Sequence, residues 1–600
     1  MRHHLLPFAL KLFTTLMAFM HLFRWQFWWV NRAEIPFEFL DFLRGMRFDL
    51  SVLGYTALFF FPLFFGLSFI PSKSMVTRAL WIASMALFAL ILLPELWDLV
   101  YFQYTLKRSS YEIYLLFLAG DDALQFQGLF ERFWYILPLL LVWFAFFALI
   151  LRKFLRTIPN PTKPITSQVG ILLLCLSGAF LAARNSVGPK PLGIMDAAQF
   201  GDPARSQLIL NAPFVLLKTL QISPLPNYHY LDHSTERRIF NPIRNYASDS
   251  SEFRPNIVVI IVESLGYQQL GRSVNGIPLT PFLDSLIRTK FPYQPTAISG
   301  GKTSIECLPA LFAGIPSWME TPFILSNYGL NQLHAFPKMA YNKGYRTLFF
   351  HGATEGSMRF GATVKHLGFH DCFFQDQLVE TNEAPGSWGY HDHTVLTNLQ
   401  KELKKTTRPF LACLFTLSTH EPYDIPSSYR KSHPELNKEQ ASYHYLDDCL
   451  RRFFKEASRQ QWYNNTFFVI TGDHPPVHLD HAGLTIADYY QVPMLLFSSS
   501  GNSIACNDHL TVIPSLCNFL GWKESIYSFG HESDISIRYL NGLYHIWNNQ
   551  VHLEFNEHLQ EWNVRKNSSK DPDILNKLKQ RFYARVQRYR NDLRSNTLHP

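Results

Sequence analysis

Apolar residues run almost unbroken through five stretches of the first third of the chain, at about 7–30, 50–71, 77–97, 133–152 and 167–184. Each approaches the ~20 residues a helix needs to cross the hydrocarbon core of a bilayer, so the pattern predicts a five-helix transmembrane bundle. Buried core helices of a large soluble domain fit these lengths less well. Beyond about residue 225 the pattern changes. Short β-branched and aromatic runs at 256–262, 346–350, 409–416, 466–471 and 493–497 alternate with helical stretches at 279–289, 304–313, 330–343, 391–405 and 438–459. Continuous apolar strands separated by helices predict an α/β domain, with a mostly parallel sheet sandwiched by helices. Between the two halves, Ile209, Leu210, Phe214, Leu217 and Leu220 have partly helical spacing, suited to the membrane surface or to the later domain. The polar, turn-rich stretch 224–255 reads as a linker. Residues 554–590 read as amphipathic helix with a basic end. Four regions result: a transmembrane domain at 1–184, a connector at 185–254, an α/β domain at 255–545 and a helical tail at 546–600.

Charge gives the membrane half a direction. Lys73 and Arg78 lie between spans two and three, and Arg152, Lys153, Arg156 and Lys163 between four and five, with no acid in either group. The stretch 98–132 instead sets Asp98, Glu112, Asp121, Asp122 and Glu131 against Lys107, Arg108 and Arg132. By the positive-inside rule the N-terminus is cytoplasmic and everything after span five is extracytoplasmic, in a bacterium the outer face of the inner membrane. Trp25, Trp28, Trp29, Trp97, Tyr101, Trp134 and Tyr135 crowd the ends of the apolar runs, as interfacial aromatics do. The first span is long, carries Lys11 and Arg24 and lacks a small-residue cleavage site, so it reads as retained. The net charge of +8 is then partly an orientation signal, and no nucleic-acid motif accompanies it. None of the seven cysteines forms a Cys-x-x-Cys pair, which argues against a zinc ribbon.

In sheets of this kind functional groups gather beyond the carboxyl ends of the strands. Glu263 ends the run 256–262, and Asp473-His474 follows the run 466–471 and Gly472. Taken alone, a Glu after a strand is an ordinary cap or surface carboxylate, whereas a carboxylate beside an imidazole suits a borderline metal. Thr303 lies in Ser299-Gly-Gly-Lys-Thr-Ser-Ile-Glu306, where it reads either as a nucleophile or as a helix cap, with Glu306 completing a capping box. A nucleotide-binding loop is disfavoured because Thr296 stands at the first Gly position of that motif. The set reads as one divalent metal held by Glu263, Asp473 and His474, with Thr303 as a metal-activated hydroxyl at a helix start. Mixed oxygen and nitrogen ligands favour Mn²⁺ or Zn²⁺ over Mg²⁺.

Together these pieces resemble the alkaline phosphatase/sulfatase superfamily and, more narrowly, the lipoteichoic acid synthase family of phosphoglycerol transferases. The resemblance is carried by Pro255-Asn-Ile-Val-Val-Ile-Ile-Val-Glu-Ser-Leu265, Gly300-Gly-Lys-Thr-Ser304, Ser418-Thr-His-Glu-Pro422, Thr471-Gly-Asp-His474 and Val492-Pro-Met-Leu-Leu496. It implies Mn²⁺ at the metal site, His420 as a headgroup ligand that could protonate the leaving alcohol, and Arg359 as a phosphate clamp. Arg359 follows Phe350-His-Gly352 in a Ser357-Met-Arg-Phe run, where the family usually has Trp-Asn-Arg. After Asp508 the chain reads His509-Leu-Thr-Val-Ile-Pro514, where relatives often have a Gln and an Asp. His478, Asp480 and His481 read either as a second-metal shell or as surface residues. Sulfate-ester hydrolysis is disfavoured, since Thr303-Ser-Ile-Glu-Cys307 lacks the Cys/Ser-x-Pro-x-Arg pattern of a sulfatase nucleophile.

The expected activity is transfer of phosphoglycerol from phosphatidylglycerol, through phospho-Thr303, to a hydroxyl of an extracytoplasmic glycan or glycolipid. The partners are then a membrane phospholipid donor, a glycan or glycolipid acceptor and the bilayer, with neither nucleotide nor nucleic acid. Phosphatidylethanolamine as donor, a phosphodiesterase that uses water, and a non-catalytic lipid-sensing relative are the alternatives.

Overall fold

The computed structural model describes residues 5–70, 72–119, 134–158, 165–186, 190–200, 202–222, 224–246, 254–293, 295–378, 384–476, 485–531, 535–540 and 542–600. Asp121, Asp122, Glu131, Arg132, Lys163, His478, Asp480 and His481 lie outside these residues. The chain forms two compact units, Met1–Pro226 and Asn227–Pro600.

In the first unit, four helices among the described residues are long and apolar enough to cross a membrane: α1 (Leu6–Val30), α2 (Phe39–Leu67), α3 (Lys73–Thr105) and α4 (Ile136–Arg156). The fifth expected span coincides with α5 (Ile165–Arg184), whose described apolar segment, Val169–Arg184, is shorter. Helices α2 and α3 extend past the apolar runs through charged residues, because those charges find partners inside the unit. Arg24 is buried and donates to Asp49 (2.7 Å to Oδ1) and to the Leu208 carbonyl (3.0 Å). Arg108 donates to Glu95 (3.0 Å), Asp98 (3.3 Å) and the carbonyls of Gln207 and Leu210 (3.0 and 3.1 Å). A buried charge without such partners would be strongly destabilising. These bonds also settle where the first half of the connector lies: α6 (Pro203–Ile209) and α7 (Ala212–Thr219) pack within the first unit. Asp98, read from the sequence as a loop charge, is a buried residue of α3.

The second unit is built on an eight-stranded mixed sheet. Its strands are β1 (Asn256–Val262), β2 (Thr296–Ile298), β3 (Arg346–His351), β4 (Asp371–Phe373), β5 (Phe410–Phe415), β6 (Thr466–Gly472), β7 (Gln491–Ser498) and β8 (Ser503–Ile504). The order is β8-β7-β6-β1-β5-β3-β4, with β2 on β7. The strands from β6 to β4 pair in parallel, whereas β7 runs antiparallel to β6, β8 and β2. Every residue of β1, β5 and β6 is buried, as expected of central strands covered on both faces. Val258, Ile260, Ala412, Leu414, Phe468 and Ile470 pack on one face against α8 (Pro281–Lys290), α10 (Asp392–Lys404) and α11 (Lys438–Ala457). On the other face Phe349 meets Phe369, which packs on Phe312 of α9 (Ser304–Ala313), and Phe467 meets Phe519. The helix expected at 330–343 shrinks to Phe336–Asn342. Asn331, in the non-helical part, instead donates to the Leu593 carbonyl (2.7 Å) and accepts from His366 (2.9 Å).

The last region departs most from expectation. Instead of a helical tail from 546, four antiparallel strands stand in sequence: β9 (Ser536–Leu540), β10 (Leu543–Trp547), β11 (Val551–Asn556) and β12 (Glu561–Asn567). Helix begins only with α12 (Ile574–Ser595). The cause is period two: Val551, Leu553 and Phe555 are fully buried, which alternation on a strand achieves and a helix would not. Asn556 Oδ1 accepts from the backbone of His558 and Leu559 (3.0 and 3.1 Å), closing the β11–β12 turn.

Candidate active site

Three parallel strands deliver the site. Glu263 leaves the carboxyl end of β1, Asp473 and His474 leave that of the adjacent β6, and Thr416–His420 follow β5 on the other side. Ligand atoms of Glu263, Asp473 and His474 all lie within 4.8 Å of one another, and the three residues are 1%, 0% and 5% exposed. His474 Nδ1 donates to the Pro475 carbonyl (2.7 Å), which turns Nε2 toward the carboxylates, 3.2 Å from Asp473 Oδ2 and 3.7 Å from Glu263 Oε1.

The backbone is bent to make this cluster. Ser264 has φ +53°, a left-handed conformation that costs a non-glycine residue about 1–3 kcal/mol. It is held there by three bonds: its N–H donates to Asp473 Oδ1 (2.7 Å), its hydroxyl to Glu263 Oε1 (2.8 Å), and its carbonyl accepts from Tyr443 (2.7 Å). Glu263 N–H donates to Thr416 Oγ1 (2.9 Å), and the Glu263 carbonyl accepts from Thr419 Oγ1. Gly472 is needed for packing, since a Cβ there would stand 1.9 Å from the Leu265 carbonyl oxygen. Gly472→Ala is therefore expected to destabilise the second unit by about 3 kcal/mol, read as a lowered thermal midpoint of the full chain.

The donor set fits a divalent cation. Asp473 Oδ2 is buried without a hydrogen-bond partner, and two carboxylates share a space closed to water. Burial, then repulsion by Glu263, pushes the Asp473 carboxyl up to about 7. Burial lowers the His474 imidazole, but the Asp473 and Glu263 carboxylates reverse this and leave its pKa raised. Both directions mean that the pocket draws positive charge to the point where the three ligand atoms converge.

Thr303 is exposed and caps α9, with Glu306 Oε2 accepting from its N–H (3.0 Å), its hydroxyl (2.8 Å) and the Lys302 N–H (2.9 Å). The next residue reaches the cluster: Ser304 Oγ donates to Glu263 Oε2 (3.1 Å) and stands 3.4 Å from His474 Nε2. Ser304 was contained in the Gly300–Ser304 motif, but the register of the helix start, which decides which hydroxyl turns inward, is not visible in sequence.

The loop 298–302 is anchored by residues that the sequence left without a role. Gly300 N–H donates to His509 Nδ1 (3.1 Å), so His509 carries its proton on Nε2 and donates to Thr471 Oγ1 (3.0 Å). Burial, then the Arg538 charge, lowers His509 to about 3, so the ring is neutral and keeps this tautomer. Thr471 precedes Gly472-Asp473, so His509 ties the Thr303 loop to the metal-ligand strand. The buried Arg538 donates to the Ser299 and Ile298 carbonyls (2.8 and 3.2 Å) and to Asp508 (2.8 Å).

The two residues assigned to substrate stand differently. Among the described residues, neither His420 nor Arg359 bonds to the Glu263–Asp473–His474 cluster. His420 is half-buried, packs edge-on against Trp388 (5.0 Å) and bonds through Nδ1 to the Glu421 carbonyl (2.6 Å). Its loop hangs on buried Asp392, which accepts from the backbone of Leu417 (2.7 Å) and Ser418 (3.3 Å). Arg359 is half-exposed, after β3, and follows Met358 in a second consecutive left-handed conformation (φ +46° and +62°).

Asp392 gives a pH prediction. Burial raises its carboxyl to about 6, against the lowering effect of the Leu417 and Ser418 donors. A raised acid contributes stability below its unfolded value near 3.8 and loses it as pH rises toward 6. Asp392→Asn keeps an acceptor without the charge, so its unfolding free energy is expected to fall less than that of the natural chain between pH 4 and 6. The difference should be on the order of 3 kcal/mol in denaturant titrations at the two pH values.

The Sulfatase family model matches residues 255–516. Lipoteichoic acid synthase-like YvgJ of Bacillus subtilis (strain 168) is 27% identical over 229 residues, 36% of this chain and 36% of that protein. Lipoteichoic acid synthase 1 of the same strain is 25% identical over 339 residues, 50% of this chain and 52% of the relative. The chain thus spans about a third to a half of the length of the curated relatives it matches. A crystal structure of an alkaline phosphatase superfamily protein from Vibrio parahaemolyticus aligns with 19% identity and a TM-score of 0.49, covering 61% of this chain and 98% of the other. Residues 255–516, which hold Glu263, Thr303, Asp473 and His474, match the Sulfatase family model, in a chain similar to the lipoteichoic acid synthases.

Proposed function

We propose that this protein is a membrane-anchored phosphoglycerol transferase. It takes the headgroup of phosphatidylglycerol and passes it to a hydroxyl of an extracytoplasmic glycan or glycolipid. The observation that carries the reading is the buried Glu263–Asp473–His474 cluster, joined through Ser304 to the helix start that bears Thr303. The similarity to lipoteichoic acid synthases and the apolar helices of the first unit support a lipid donor held in the bilayer. Five spans, a cytoplasmic N-terminus and an extracytoplasmic second unit complete the topology, on the charge pattern of the connections.

Glu263, Asp473 and His474 would hold one divalent cation, Mn²⁺ in our reading, which supplies Lewis-acid stabilisation of phosphate charge. In the first step the Thr303 oxygen bonds to phosphorus, the bond from phosphorus to the diacylglycerol oxygen breaks, and His420 donates a proton to that oxygen. Glu306 is the nearest group to receive the Thr303 proton, since it already accepts that hydroxyl at 2.8 Å. In the second step an acceptor hydroxyl gives its proton to His420 and displaces the Thr303 oxygen from phosphorus, and Glu306 returns the proton to Thr303. His420 binds the headgroup and Arg359 the phosphate oxygens.

Headgroup release from labelled lipids tests this reading. Diacylglycerol is expected from phosphatidylglycerol in the presence of Mn²⁺. Release from phosphatidylethanolamine alone would assign the other donor, and release from neither would favour a non-catalytic lipid sensor.

A further inference from the structure

We propose that His545, His552 and Glu554 form a second cation site, separate from the Glu263 cluster, that takes a transition metal of the zinc class. The site arises from strand register. His545 on β10 stands directly opposite Glu554 on β11, and His552 lies two residues before Glu554, so all three side chains share one face of the small sheet. Their ligand atoms lie within 4.8 Å of one another, with His545 Nδ1 at 3.6 Å from Glu554 Oε1. That separation is close to the edge of a tetrahedron whose ligands sit ~2.0–2.1 Å from a central Zn²⁺.

Two independent features point to a ligand. His545 is 7% exposed, and its Nδ1 is buried with no hydrogen-bond partner, although it faces a carboxylate. His552 Nε2 is likewise buried and unpartnered. Two orphaned imidazole nitrogens beside an acid are costly unless something bridges them.

The surroundings fit a metal better than a proton. Glu554 Oε2 is taken by Arg565 (2.7 Å), which fixes the carboxylate and leaves Oε1 turned to His545, the arrangement of a supported metal ligand. Arg565 reaches it because the β11–β12 register shifts between His552 and Leu553. Of the other nearby cations, Arg538 is bound to Asp508 and Lys302 stands over the rings of Tyr489 and Tyr490. Two imidazoles with one carboxylate suit Zn²⁺ or Co²⁺ over Mg²⁺ or Ca²⁺. His552 is half-buried on the wall of a cavity of about 640 Å³, also lined by Trp547, Asn548 and Gln491. The cavity gives the ion its entry and leaves a fourth coordination position open.

Metal counting on the full-length, tag-free chain in detergent tests this. After chelator treatment and dialysis against Zn²⁺, the natural chain is expected to hold two equivalents by elemental analysis. His552→Gln and His545→Asn should each hold one, Asp473→Asn should hold one, and His552→Gln with Asp473→Asn none. With Co²⁺, the visible bands of a four-coordinate site should persist in Asp473→Asn and disappear in His552→Gln. Circular dichroism checks that each variant is folded, and the half-buried His552 is the position least able to disturb the sheet. A natural chain that holds one equivalent, lost entirely in Asp473→Asn, overturns the proposal. So does a folded His552→Gln that retains both.

Discussion

Thr303→Ala is expected to lower headgroup transfer by on the order of 10⁴-fold or more, the scale on which removal of a covalent nucleophile acts. The variant should stay folded, because Thr303 is exposed and its structural task is to cap α9. Losing that cap costs about 1 kcal/mol, a small shift of the thermal midpoint. Ser304→Ala is the necessary partner experiment. Its hydroxyl, not that of Thr303, bonds to Glu263. If Thr303 is the nucleophile, Ser304→Ala weakens cation affinity about 10–100-fold, as loss of a residue supporting a metal ligand does, and its activity returns at high Mn²⁺. Thr303→Ala activity does not return at any Mn²⁺ concentration.

Asp473→Asn is expected to abolish both Mn²⁺ binding and activity, while leaving the cation-free protein at least as stable as the natural chain. The sign follows from the site. Asp473 is fully buried beside Glu263, with one oxygen unpartnered, and its carboxyl is pushed up to about 7. Neutralising it removes repulsion that the natural chain tolerates only for binding. In the natural chain, Mn²⁺ at a hundredfold excess over its Kd adds about 2.7 kcal/mol, a rise of a few degrees in the midpoint of the second unit. Asp473→Asn should show no rise. Chelator-treated natural protein should match the variant in activity and regain it with Mn²⁺. Thermal scans and headgroup-release assays with and without the cation, on both proteins, check these statements.

How legible this site was in the sequence depends on the range of each signal. Glu263 and Asp473-His474 were legible because they end runs of buried apolar residues, and parallel topology gathers strand ends at one edge of a sheet. The antiparallel direction of β7 was not, since Gln491–Ser498 has the same apolar character whichever way it runs. His509 and Arg538, which hold the Thr303 loop, act on residues more than 200 positions away, and no local pattern encodes that distance. Arg24 reads in the sequence only as a charge in a retained first span and Arg108 only as one charge of the stretch 98–132, because their carbonyl partners at 207–210 lie far along the chain. The strands at 551–567 were misread as helix because β12 is mostly exposed and highly polar, which leaves only Trp562 and Val564 to carry the alternation. With β11 unread as a strand, the pairing of His545 on β10 with Glu554 could not be seen.

Mass spectrometry of Thr303 after incubation with Mn²⁺ and mixed phospholipids tests the central claim most directly, because it reports nucleophile and donor together. The expected result is a phosphoglycerol adduct on Thr303, absent from Thr303→Ala and discharged by a glycan or glycolipid acceptor. An adduct on Ser304, or turnover of phosphatidylglycerol by Thr303→Ala at the natural rate, would contradict it.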